Sequence, residues 1–189
     1  MDYKKLFHKI IDLLSSPGKT WDEISERSEE RNVLGNFVYP LIGLCGLAEF
    51  IGAFIGRDVT PDVFQNALRS CCALAVALFG GFFLAVYLLE KSGKKWFSVT
   101  YPGNMLQVFV GYSMVVTFVL DIASSFFPIA ILHWLLQLYT LFVVFEGARR
   151  FLHVPENKLT SYTLVATLFV LLSPALIEYI FNKLSVILN

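Results

Sequence analysis

The sequence predicts an all-α, polytopic membrane bundle: five transmembrane helices preceded by a cytoplasmic amphipathic helix. Three observations carry this reading. Of 189 residues, 56% are hydrophobic and only 16% are charged, where a soluble domain carries about 25% charge. The charge that is present collects in residues 1–32 and in short loops. Between the loops lie apolar runs close to the roughly 20 residues a helix needs to cross a hydrocarbon core. Residues 1–32 are expected as a polar helical segment and residues 33–181 as the transmembrane domain.

Residues 3–14 set Tyr3, Leu6, Phe7, Ile10, Leu13 and Leu14 at helical spacing, with Lys4, Lys5, His8, Lys9 and Asp12 on the other side. Such a helix suits a membrane surface, where lysines meet anionic lipid. It equally suits the cytoplasmic side of the protein's own bundle. His8, Lys9 and Asp12 interrupt the apolar part, so it is not a signal peptide. Ser16, Pro17 and Gly18 break the helix. Thr20 and Glu23 then form a capping-box pair that opens a second, polar helix from Trp21. The triplet Gly18-Lys19-Thr20 is no phosphate loop. That motif needs a glycine five positions before Gly18 and a preceding strand, and the position is Leu13 in a helical segment.

Five apolar windows follow, at 33–55, 70–89, 105–126, 129–145 and 162–181. The fourth sits at the short edge of the tolerated range of about 17–25 residues. Pro128 separates it from the third, so those two are expected as a tight helical hairpin. Lys and Arg placement sets the direction. With the N-terminus inside, the inner segments hold Lys4, Lys5, Lys9, Lys19, Arg27, Arg31, Lys91, Lys94, Lys95, Arg149, Arg150 and Lys158. The outer segments hold Arg57, Arg69 and Lys183. This excess of positive charge on one side predicts a cytoplasmic N-terminus and an outside C-terminus.

In this topology Glu49, Asp121, His133 and Glu178 fall at one depth, roughly 5–9 Å from the outer edge at about 1.5 Å per residue. They form a candidate intramembrane polar layer. Asp121 and His133 each stand five residues from Pro128, so an antiparallel hairpin would bring them together. Ionisable groups inside a membrane are costly and usually turn inward. Three readings fit such a layer: acids that reach the headgroups, a shared ion or proton site, or a polar lock on the bundle. On the second window Ala73, Ala77 and Gly81 form a small-residue run suited to close helix packing.

No catalytic pattern is present. There is no His-Glu-x-x-His and no Gly-x-Ser-x-Gly, and "GYSMV" at 111–115 does not replace it. His8, His133 and His153 are too dispersed for a metal triad. Cys45, Cys71 and Cys72 show no Cys-x-x-Cys spacing and read as small core residues. No cofactor and no metal are expected. Lys plus Arg equal Asp plus Glu, 15 each, which argues against nucleic acid as a partner. The expected partners are the lipid bilayer and a membrane protein, either another protein or a second copy.

The segment "LLSSPGKTWDEI", a helix followed by a Pro-containing break and an aromatic start, is similar to openings in prokaryotic members of the Yip family, the Ypt/Rab-interacting membrane proteins. Tyr39 and Pro40 in "NFVYP" resemble part of that family's motif at the start of the first span. Gly111 and Tyr112 in "VGYSM" resemble its Gly-Tyr in the third. The resemblance covers residues 10–181. It implies five closely spaced spans and a non-enzymatic protein of membrane organisation or trafficking. The long polar N-terminal extension of eukaryotic members has no counterpart, so a bacterial cytoplasmic-membrane protein is expected. The alternative function is a small ion or solute transporter, or a channel component, built on the outer polar layer.

Overall fold

The structure is a computed structural model and describes residues 3–26, 32–127 and 136–187, the last three without their side chains. Among the described residues the chain is helical with no strand. Helices α1 (Tyr3–Ser15) and α2 (Pro17–Glu26) form an N-terminal pair. Pro17 opens α2, where its missing N–H belongs to a group that has no partner anyway. The helix therefore starts four residues before Trp21. Thr20 is not a cap but lies inside α2, its hydroxyl donating to the Ser16 carbonyl at 3.0 Å. In α1, Leu6 and Leu13 are buried, while Tyr3, Phe7 and Ile11 are exposed. The expected apolar set is thus split between an inward and an outward row, and α1 packs on α2 and on α6.

A π turn, Leu34–Val38, leads into α3 (Tyr39–Gly52). Pro40 falls in the first α-helical turn, where the lack of a donor is tolerated. Helix α4 (Pro61–Ser92) opens with the Thr60 side chain accepting from the Val63 amide and Pro61 at its first position. It runs on through a second π turn, Gly93–Phe97, which ends at Ser98 in the left-handed region. Helices α5 (Gly103–Ser113) and α6 (Val115–Phe126) are two halves of one rod, offset at Met114. Then come α7 (Tyr139–Arg150) and α8 (Glu156–Ile187).

Four helical stretches are long and apolar enough to cross a membrane: Leu34–Gly52, Pro61–Phe97, Gly103–Phe126 and Glu156–Leu184. The third is the innermost. Of its apolar window 72% is buried inside the protein, against 39%, 44% and 28% for the others. Five spans were expected. The turn at Pro128 and the first residues of the fourth window, His133 among them, lie outside the described residues; its remainder is the start of α7.

The longest contact pairs α4 with α8. Ala73, Ala77, Gly81 and Ala85 are buried along α4, and a Cβ on Gly81 would meet the Pro174 backbone at 2.5 Å. The kink-prone proline of one helix thus sits against a position with no side chain on the other. Replacing Gly81 with leucine overfills that crossing, at a cost of about 1–3 kcal/mol or more. Thermal unfolding in detergent should show a clear fall in Tm for Gly81→Leu and little change for Gly43→Ala, where a Cβ meets nothing within 4 Å.

Candidate functional site

The two ends of the bundle carry different polar constructions. At one end α2 is fastened to α7. On α2, Pro17, Thr20, Trp21 and Ile24 are buried, a narrow stripe one turn apart that places Trp21 inward. Trp21 is 0% exposed and belongs to the same core as the spans. Its ring lies 5.8 Å from Phe109, 6.1 Å from Tyr112 and 5.4 Å from Phe151. Its indole Nε1–H donates to the Val143 carbonyl at 3.0 Å. The ring can come this close because α7 has glycine at 147; a Cβ there would meet the indole at 2.7 Å.

Beside the indole, charge completes the fastening. Arg150 donates to Asp22 at 2.6 Å and to Glu146, one turn back on α7, at 2.5 Å. Glu146 is buried. Its carboxylate, helped by Asp22 and opposed by partial burial, raises the Arg150 guanidinium above its ordinary pKa. Tyr139 donates its hydroxyl to the Leu14 carbonyl at 2.8 Å, satisfying an acceptor near the end of α1 that its own helix leaves open. The Lys158 ammonium similarly donates to the Phe97 carbonyl at 2.6 Å, where the α4 rod ends.

At the other end, an open pocket of 320 Å³ is lined by Glu49, Asp121 and Glu178, with Ser70, Ser124 and Asn182 among the polar groups around them. These come from α3, α6, α8 and α4. Glu49 and Asp121 are partly buried and Glu178 is exposed. Glu49 accepts from the Ser125 hydroxyl at 3.2 Å. The α3–α6 crossing there is so close that a Cβ on Gly52 would collide with the Ser125 carbonyl. Three of the four ionisable residues of the expected layer therefore face one pocket; His133 lies outside the described residues. Among the described residues no group of three or more His, Cys, Asp or Glu could hold a metal ion. His8 sits midway along α1, its Nδ1 2.9 Å from the Lys4 carbonyl. His153 occupies the α7–α8 turn at a φ of 52°. Cys45 is buried, its thiol directed at the Phe118 carbonyl at 3.4 Å.

Between the two ends the core is filled by Phe82, Phe109, Phe118 and Tyr162, each under 2% exposed. The remaining sequence candidates serve this packing. Tyr39 is exposed and stacks on Phe79 at 5.8 Å; Pro40 follows the π turn. Gly111 lets α5 touch Val38, which a Cβ would meet at 2.9 Å. Tyr112 is buried against Trp21 and Phe37. Sequence reasoning missed Trp21 as an anchor, and with it Asp22, Gly147 and Arg150. The i, i+3, i+4, i+7 spacing of Pro17, Thr20, Trp21 and Ile24 was the available signal.

A family model, the Yip1 domain, matches residues 11–177. No curated protein and no solved structure matches the chain.

The anchoring geometry sets an order of severity. Trp21→Ala removes a fully buried aromatic, a loss of about 3–5 kcal/mol. Asp22→Asn breaks a half-exposed ion pair worth about 1 kcal/mol or less. Limited proteolysis in detergent should therefore cut within α1–α2 rapidly in Trp21→Ala and Gly147→Leu, and only slightly faster than wild type in Asp22→Asn. Equal resistance in all three variants would contradict the anchoring of α2 by its indole.

Proposed function

The chain belongs to the Yip1 domain family and is an integral membrane protein; from that premise we propose that it is a non-enzymatic scaffold that organises membrane or holds a membrane-protein partner. The supporting observation is the fastening of α2 to α7 through Trp21 and Arg150. It holds α1 and α2 as a fixed platform on the helices that follow. A fixed platform suits recognition, and an aromatic core between the two polar ends suits rigidity more than passage. We propose five spans, with the platform and the loops at Lys94 and Arg149 cytoplasmic, because Lys and Arg gather on that side. The carboxylate pocket then faces outside. We read it as a polar lock in which Asp121 and His133 meet across the turn at Pro128.

Three measurements test these readings. Single cysteines at 94 and 149, in a background lacking Cys45, Cys71 and Cys72, should resist an impermeant thiol reagent in sealed cells; ready labelling would reverse the topology. Asp121→Asn and His133→Gln should each lower stability, and the double variant should cost less than the sum; strictly additive losses would remove the pair. Reconstituted protein should change vesicle shape in electron micrographs, less so with Trp21→Ala, and should carry no ion flux above empty vesicles. A flux abolished by Asp121→Asn would replace the scaffold with a transporter.

A further inference from the structure

Between α7 and α8 runs an apolar groove of 280 Å³, walled by Leu138, Leu141, Phe142 and Phe145 on one side and Leu164 on the other. Facing lipid, an apolar groove needs no explanation. The polar groups along this one do. Thr163 lines it and is 3% exposed, yet its hydroxyl has no hydrogen-bond partner. A helical threonine can donate to the carbonyl four residues back; Thr163 makes no such bond. An unmet buried hydroxyl costs about 1–3 kcal/mol, and no water in the hydrocarbon can offset that. One turn nearer the α7–α8 turn, the exposed Thr160 lines the groove as well.

The third group is a cation. Leu138, Phe142, Phe145 and Arg149 follow one another at steps of four, three and four residues, so they share one face of α7. Arg149 is exposed and makes no hydrogen bond or ion pair among the described residues, whereas its neighbour Arg150 is held by two carboxylates. Along the groove toward the α7–α8 turn the order is therefore apolar wall, hydroxyl, hydroxyl, guanidinium. A glycerophospholipid presents the matching order: acyl chain, ester oxygens, phosphate. Planar guanidinium groups recognise phosphate with paired hydrogen bonds, and basic pockets between membrane helices favour anionic headgroups.

We propose that this groove is a binding site for one anionic glycerophospholipid of the leaflet on the side of the α7–α8 turn. One acyl chain lies between α7 and α8, an ester oxygen accepts from Thr163, and the phosphate group meets Arg149. The site is independent of the Trp21 fastening and of the carboxylate pocket.

The test uses the full chain, purified in detergent and stripped of lipid, and titrated with phosphatidylglycerol or phosphatidylcholine of identical chains. Native mass spectrometry counts bound lipid, and thermal unfolding reads its effect. One phosphatidylglycerol should be retained several-fold better than phosphatidylcholine and should raise Tm. Arg149→Gln should lower phosphatidylglycerol retention to the phosphatidylcholine level. Leu164→Trp fills the groove from an exposed position and should reduce retention of both lipids. Thr163→Val should weaken both lipids several-fold while the lipid-free Tm holds or rises, because an unpaired hydroxyl is lost. Unchanged retention in Leu164→Trp, or in Thr163→Val, would overturn the site and leave only the annular lipid that coats any membrane protein. Equal retention of the two lipids by the wild type would equally overturn it.

Discussion

The seating of Trp21 under α7 is the contact on which the arrangement of the N-terminal helices depends. A tryptophan buries about 150–250 Å², worth roughly 4–6 kcal/mol at about 25 cal/mol per Å². No other side chain of α2 offers as much apolar area. The indole also brings a donor that cannot be left unmet, and the Val143 carbonyl receives it. Gly147 is the condition for both, since any Cβ there would occupy the ring's place. Once the ring is in, Asp22 is carried to Arg150 and Leu14 to Tyr139. Those polar bonds are consequences of position. They orient the helix pair but contribute less to holding it.

The same logic, polar groups placed where apolar packing allows, governs the opposite end. Glu49, Asp121 and Glu178 come from three helices and meet α4 at Ser70, Ala73 and Leu74, in its third and fourth turns. Glu178 is exposed, and Glu49 and Asp121 are partly covered by their neighbours. The middle instead carries hydroxyls, among them Ser113, Thr117, Thr140 and Thr167, which are buried without hydrogen-bond partners. A neutral hydroxyl tolerates that position far better than a charge would. Depth and polarity are thus graded, with carboxylates at the rim, hydroxyls inside and aromatic rings filling the remaining volume.

Much of this was legible in the sequence, in a way that exposes the limit of hydropathy. The windows at 70–89 and 162–181 mark helices whose polar ends they could not see. Helix α4 begins at Pro61 because Asp62, Gln65 and Asn66 form exposed turns outside the apolar run. Helix α8 begins at Glu156 for the same reason. The polar layer was placed by depth alone; Glu49, Asp121 and Glu178 line one pocket, and His133 lies outside the described residues. Trp21 was read as the start of a polar helix because Asp22, Glu23, Ser25 and Glu26 surround it. Its four-residue inward stripe is too narrow to dominate the composition. The Glu146–Arg150 pair has local spacing and could be read; the 128-residue separation of Arg150 from Asp22 could not, since only the fold brings them together.

Close approach, rather than bulk, gives the bundle its rigidity. At Gly81 the backbone of Pro174 enters the groove of α4, at Gly52 the backbone of Ser125 meets α3, and at Gly147 an indole meets α7. Each contact joins a different pair of elements, α4 with α8, α3 with α6 and α7 with α2, and the packing of α3 on α4 and of α7 on α8 joins those pairs into one body. Sliding any pair by one residue would put a Cβ where backbone or ring now lies. Small-residue contacts of this kind are how membrane helices gain van der Waals contact without a hydrophobic force between them. Alternating access asks one half of a bundle to rock against the other around a central site. Here the most enclosed helix is an apolar rod, and the close contacts are spread along the whole length of the bundle. That combination resists rocking, and it keeps α1 and α2 in one orientation relative to the rest of the bundle.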